Sequence, residues 1–304
     1  MNYLQNLVDN HSKTNDVMDM DIVLESGAAA GGFQVGCLLY INALEEKGIL
    51  KINRISGSSI GAVVGFYYFT KSLQDFLEDY KKLRDCFKQK LNVDILKDIL
   101  EEKINKLTSL ELENLNKRLH IVYHDVEKKE QIMINTFTQK KELLSSLLKS
   151  CHIPFLTSSS MFYVEDGKEF YDGGIPYIFP ERSKGDKKIL YVSICNYNKL
   201  TSFFSVKKEL NPCGRLLEGA LDAHNFFLYN NKVRFCSYIN DWGIFDYFVL
   251  RLKQLIFGTL FYIAINIYYV FKFVYPFVSR FLIVQYFSPL IYNIYRDILL
   301  FYCL

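Results

Sequence analysis

The stretch Ile52-Asn53-Arg54-Ile55-Ser56-Gly57-Ser58-Ser59-Ile60-Gly61-Ala62-Val63-Val64 decides how this chain folds. Ile52 to Ser56 reads as a short strand, Gly57 to Gly61 as a tight turn of the form G-x-S-x-G, and Ile60 to Thr70 as a helix. Such a turn presents a serine hydroxyl at a helix N-terminus, and Gly57 and Gly61 permit both the turn and close packing of the helix. Taken alone, the same pattern also describes a small-residue turn with no chemistry.

Working outward, the neighbouring segments alternate between strand and helix. Asp21 to Glu25 reads as a buried strand, followed by a small-residue loop from Ser26 to Gly32. Val35, Leu38, Leu39, Ile41 and Leu44 recur at helical spacing between Phe33 and Glu46, with Gly48 where a helix C-cap is expected. Leu73 to Leu107 is Lys-rich and helical in pattern. Leu119 to His124 and Gln131 to Phe137 read as strands joined by a charged turn, Glu127 to Glu130. A helix is expected over Lys141 to Ser150. A hairpin should turn at Asp166-Gly167 between Phe162–Glu165 and Glu169–Tyr171, and a last strand should run from Lys188 to Ile194. This alternation predicts an α/β fold whose functional loops lie at the carboxyl ends of the strands.

Composition narrows the function classes. The chain of 304 residues is long enough for a full hydrophobic core, and its net charge of +3 implies no strongly basic surface for nucleic acid. Cys37, Cys86, Cys151, Cys195, Cys213, Cys236 and Cys303 show no C-x-x-C spacing, so neither a zinc site nor a disulfide framework reads out. Met1 to Asp21 is polar and lacks the apolar region of a cleaved signal, and the odd cysteine count favours a reducing compartment.

A serine needs a base to take its proton and donors to stabilise the resulting anion. Asp172-Gly173-Gly174 offers a carboxylate followed by two conformationally free residues. The histidines are weaker candidates. His120 and His124 share one strand at even spacing, and His11 lies in the leader. His152 and His224 keep a Ser-His-Asp triad open as a second mechanism.

With these residues in place, the chain resembles the patatin-like phospholipase family. Val23-Leu24-Glu25 followed by Ser26 to Gly36 stands where that family carries its glycine-rich oxyanion loop, and Phe33-Gln34-Val35-Gly36-Cys37-Leu38 resembles the end of that loop. Ile55 to Gly61 resembles its serine elbow, Cys151-His152-Ile153-Pro154-Phe155 the segment before its aspartate, and Tyr171 to Pro176 the aspartate motif. The resemblance covers about residues 20 to 210. It implies a three-layer α/β/α sandwich with a mostly parallel central sheet, and a Ser-Asp dyad that cleaves fatty acyl esters without histidine, metal or cofactor. Carried onto this sequence, Ser59 is the nucleophile, Asp172 the base, and Gly27, Ala28 and Ala29 the oxyanion-hole donors. One departure stands out. The family loop reads G-G-G-x-[KR]-G, whereas this chain has Ser26-Gly27-Ala28-Ala29-Ala30-Gly31. An alanine donates its N–H as well as a glycine, but a positive φ costs it about 1–2 kcal/mol.

Leu255 to Phe271 is 17 residues without a charge, the lower limit for a spanning helix. Apolar sequence continues past Lys272, interrupted by Pro276, Arg280 and Pro289, to a tail from Ile298 to Leu304. Three readings stand: a spanning helix or hairpin, an interfacial anchor rich in Tyr and Phe, and a helical subdomain packed on the core. Lys81, Lys82, Arg84, Lys88 and Lys90 read as a solvated helix face or a contact for anionic lipid, and the 198–208 segment as a lid or an ordinary loop.

The expected organisation is a polar leader (1–18), a patatin-like catalytic domain (19–212), a helical connector (213–250) and an aromatic-rich, membrane-associated segment (251–304). The expected activity is phospholipase A-type hydrolysis of a lipid ester through an acyl-enzyme. The catalytic domain is expected on the cytoplasmic side of a membrane. A catalytically impaired lipid- or protein-binding relative is the alternative, and acyl transfer to an alcohol is a third outcome of the same site.

Overall fold

A computed structural model describes residues 2–9, 17–180, 187–194 and 213–278, with 287, 290, 293 and 294. The 198–208 segment and the tail beyond 294 lie outside the described residues. The chain divides into two compact units, Met1–Phe203 with Glu209–Trp242, and Gly243–Leu304 with Phe204–Lys208.

The first unit is built on one eight-stranded sheet. Its strands are β1 (Met18–Leu24), β2 (Leu50–Ser58), β3 (Leu119–Asp125), β4 (Glu130–Ile134), β5 (Tyr163–Glu165), β6 (Lys168–Asp172), β7 (Lys188–Val192) and β8 (Cys236–Tyr238). The order is β5-β6-β3-β2-β1-β7-β8, with β4 also paired to β3. The central strands β3, β2, β1 and β7 run parallel, and antiparallel strands finish either side. Because β2 and β7 flank β1 on opposite edges, the loop after β1 opens at a topological switch point.

The central strands are buried on both faces, so their sequences are apolar runs with polar exceptions. Met20, Ile22, Leu24, Ile55, Leu119, Ile121, Leu190 and Val192 join one continuous core with the helices. The chain between β1 and β2 forms α2 (Gly31–Glu46), and α3 (Ile60–Phe69) follows β2 directly. On the opposite face Asp21 of β1 is paired with Arg54 of β2, whose guanidinium lies 4.3 Å from the Phe179 ring centroid.

Helices α4 (Phe76–Lys90), α5 (Leu96–Lys106) and α7 (Lys140–Ser150) confirm the helical patterns, and the hairpin turns at Asp166 and Gly167 with φ of 51° and 76°. Lys82 of α4 pairs with Glu78 at 3.0 Å. Three elements differ from expectation. Asn2–Asp9, inside the segment read as a leader, is a helix (α1) with Val8 buried. Ser109–Leu115 is a short helix (α6) begun by a Thr108–Glu111 capping box. Residues 213–242 do more than connect: α8 (Cys213–Tyr229) packs on α2, and β8 extends the sheet beside β7. A Cβ at Gly36 would lie 2.0 Å from Leu216 O and one at Gly219 2.0 Å from Phe33 O, so two glycines let α2 and α8 cross closely.

The second unit is dominated by α9 (Ile244–Val278), 35 residues long. Leu255, Leu260, Tyr262, Ile263, Ile267 and Tyr269 are all exposed, and only 6% of its most apolar window is buried. Among the described residues α9 is the one helix long and apolar enough to cross a membrane. The Asn266 side chain, within this apolar run, donates to the Tyr262 carbonyl at 2.7 Å.

Candidate active site

The sheet register brings the two motifs together. Val122 of β3 pairs with Ser58, the last residue of the parallel strand β2, while Tyr123 pairs with Asp172, the last residue of the antiparallel strand β6. The other edge of β3 is taken by β4 over the same residues. Strands β2 and β6 therefore share one edge of β3 and meet end to end, so the residues that leave them, Ser59 and Asp172, converge although they are far apart in sequence.

Ser59 sits at φ 54° and ψ −129°, a strained conformation for a non-glycine residue and the mark of a nucleophile elbow. The turn is tight enough that a Cβ at Gly57 would lie 2.4 Å from the Gly61 backbone, and one at Gly61 2.6 Å from Leu24 O. The Ser59 hydroxyl lies close enough to the Asp172 carboxylate to favour its ionised form. Its neighbour Ser58 is fully buried on β2, and its hydroxyl has no hydrogen-bond partner.

Asp172 is 5% exposed, and burial pushes its carboxyl from the ordinary 3.8 up to about 7, against the pull of the Ser59 hydroxyl and the Gly174 N–H. The Gly174 N–H reaches Asp172 Oδ1 at 2.7 Å. Gly173 must lack a side chain, since a Cβ there would lie 2.2 Å from Val122 O and 2.6 Å from Ser58 Oγ. A carboxyl with this pKa exists in both protonation states near neutrality, which suits general acid–base work.

Among the described residues no histidine touches the Asp172 carboxylate. His152 Nδ1 faces Thr157 Oγ1 at 3.2 Å, and His224 Nδ1 lies 3.0 Å from the Tyr40 hydroxyl. His120 Nε2 lies 3.1 Å from Asn135 Nδ2, and His124 stacks on the Tyr171 ring with its Nδ1 3.1 Å from the backbone oxygen of Asp172. Burial pushes all four imidazoles below their ordinary value and so favours the neutral form. The arrangement gives the triad reading no support.

The loop after β1 is pinned at its root. The Glu25 carboxylate accepts from Ser193 Oγ at 2.8 Å and Ile194 N at 2.9 Å, and its carbonyl accepts from Gln34 Nε2 at 2.6 Å. Ser26 Oγ donates to the Gly174 carbonyl, tying this loop to the aspartate turn. The N–H of Ala30 bonds Gly27 O at 2.8 Å and that of Gly31 bonds Ala28 O, which leaves the N–H groups of Gly27, Ala28 and Ala29 as the loop's candidate donors. Ala28 adopts φ 44°, so the alanine that stands where the family has glycine carries the cost of a positive φ. Ala28→Gly should stabilise the protein by about 1 kcal/mol without lowering turnover. Thermal unfolding and ester hydrolysis measured on the pair check this.

Sequence reasoning misses Ser26 and Ser150. The Ser150 hydroxyl accepts the Ser59 N–H at 2.9 Å and donates to Val122 O at 2.6 Å. No local pattern marks either role, because each bond spans distant parts of the chain. Among the described residues no group of His, Cys, Asp and Glu has the arrangement of a metal site.

No curated protein matches this chain. The crystal structure of VipD from Legionella pneumophila is similar over 62% of this chain and 55% of that chain, at 16% identity and a TM-score of 0.34. This chain thus spans little more than half the length of that protein. The family model described as Patatin-like phospholipase matches residues 22–182, more than half of the 304. With the elbow and the Asp-Gly-Gly turn both inside the matched span, the chain belongs to the patatin-like phospholipase family.

Proposed function

We propose that this protein is a lipid acyl hydrolase of phospholipase A type that works through a Ser59–Asp172 dyad. The Ser59 oxygen attacks the acyl carbonyl carbon while its proton passes to Asp172. The carbonyl oxygen becomes an anion held by N–H groups of Gly27, Ala28 and Ala29. As the C–O bond to the lipid alcohol breaks, Asp172 returns the proton to the leaving oxygen, and the acyl group remains on Ser59. Water then attacks this ester, Asp172 takes its proton, and Ser59 leaves reprotonated with release of the fatty acid.

The observation that carries this reading is the sheet register that brings Ser59, on its strained turn, to Asp172, a buried carboxyl poised near neutrality. Fatty-acid release from phospholipid vesicles tests it. A specific observation also favours a second reading, a non-catalytic lipid- or protein-binding relative: Ala28 stands at a positive φ where the family has glycine. Folded protein that binds vesicles but releases no fatty acid under any condition would select that reading.

The exposed apolar length of α9 supports attachment to a membrane. Its uncharged stretch, 17 residues at about 1.5 Å each, spans about 25 Å, close to the hydrocarbon thickness. The free cysteines, including exposed Cys213, suit a catalytic unit on the cytoplasmic side. A chain ending at Trp242 should stay in the supernatant when the full chain pellets with vesicles. Equal pelleting of both would remove the anchor.

A further inference from the structure

We infer that Ser150 is a positioning residue that sets the geometry of the Ser59–Asp172 dyad, an inference that rests on the dyad reading above. Ser150 is the last residue of α7, and its side chain is fully buried. Its hydroxyl accepts the N–H of Ser59 at 2.9 Å and donates to the carbonyl of Val122 at 2.6 Å. Its own carbonyl accepts the N–H of Gly173 at 3.4 Å. One residue therefore touches the backbone of the nucleophile, the backbone that follows the base, and the strand against which both motifs end.

Two consequences follow from these contacts. The strained turn at Ser59 is held from outside its own segment, since its N–H has its acceptor on α7. The same bond commits the N–H of the nucleophile, so that group is not available to an oxyanion. Stabilisation then falls to the loop after β1 and to Ile60, whose N–H opens α3 and has no acceptor within that helix. Loss of the Ser150 hydroxyl leaves the Ser59 N–H and the Val122 carbonyl buried without this partner and frees the elbow to shift. A small shift separates Ser59 Oγ from Asp172, and misplacement on that scale costs up to about 10²-fold in rate. It also removes the hydrogen bond that favours the ionised form of Asp172.

The test compares full-length wild type, Ser59→Ala, Ser150→Ala, Ser150→Thr and Ser146→Ala. The readouts are hydrolysis of a short-chain nitrophenyl ester, the pH dependence of fluorophosphonate labelling, and thermal unfolding. Ser146 is the control, being buried on the same helix with its hydroxyl bonded only to Glu142 O. The expected result for Ser150→Ala is a kcat lowered about 10–100-fold with KM within about twofold, and an acid limb of labelling moved to higher pH. Ser150→Thr, which keeps the hydroxyl, should recover part of kcat, and Ser146→Ala should change neither kcat nor the limb. The proposal is overturned if Ser150→Ala keeps the wild-type limb and kcat, or if Ser146→Ala at matched loss of stability reproduces its effects. Wild type that is not labelled at Ser59 overturns the dyad reading itself, an outcome distinct from labelled wild type with an indifferent Ser150→Ala.

Discussion

Ser59→Ala and Asp172→Asn should each lower fatty-acid release by about 10³–10⁶-fold while leaving vesicle binding unchanged. The size follows from how the two groups share one proton. Without the Ser59 oxygen no acyl-enzyme forms, and without a carboxylate nothing removes the proton from either the serine or the attacking water. Among the described residues no histidine contacts the Asp172 carboxylate, so none of them stands ready to substitute for it. The double variant should be no worse than the poorer single one, because groups that act as a unit do not contribute additively. Residual activity within about tenfold of wild type in either variant contradicts the assignment.

The second large effect is a pH dependence with opposite signs for activity and stability. Asp172 acts as a base only when ionised, so kcat/KM should fall below a limb near pH 7, where burial has raised its carboxyl. A carboxyl raised by folding binds its proton more tightly in the folded than in the unfolded chain. Its contribution to stability is therefore complete below the ordinary aspartate value and is lost as pH rises toward about 7. On the proposed mechanism the protein is active above that pH while carrying a buried, ionised carboxylate at a cost of about 4 kcal/mol. Asp172→Asn removes this cost, so its Tm at pH 8.5 should exceed wild type by about 3–8 °C, with little difference at pH 5. Calorimetry at the two pH values checks the sign. A variant less stable at pH 8.5 shows that the carboxylate is not held at a cost.

Much of this site is legible in sequence because its parts are local. The strand, turn and helix around Ser59 follow from apolar spacing and two glycines within five residues, and the β5–β6 hairpin follows from Asp166-Gly167. The parts that escape are relations across the sheet. That β2 and β6 share one edge of β3 depends on register, which no single segment specifies. Ser150 and Ser26 act through bonds to residues 91 and 148 positions away. The docking of α8 on α2 depends on the close approaches of Gly36 to Leu216 and Gly219 to Phe33, and β8 on its pairing with β7, again pairings of distant residues. The departure in the loop after β1 is different. There the sequence shows alanine where the family has glycine, and the backbone places Ala28 at φ 44°.

The most direct test of the Ser59–Asp172 dyad is fluorophosphonate labelling of the folded full-length chain, followed by peptide mapping. The expected result is one adduct on Ser59 and none on its neighbour Ser58, with labelling that slows as pH falls through about 7 and vanishes in Ser59→Ala. Folded protein that takes no label, or takes it on another serine, contradicts it.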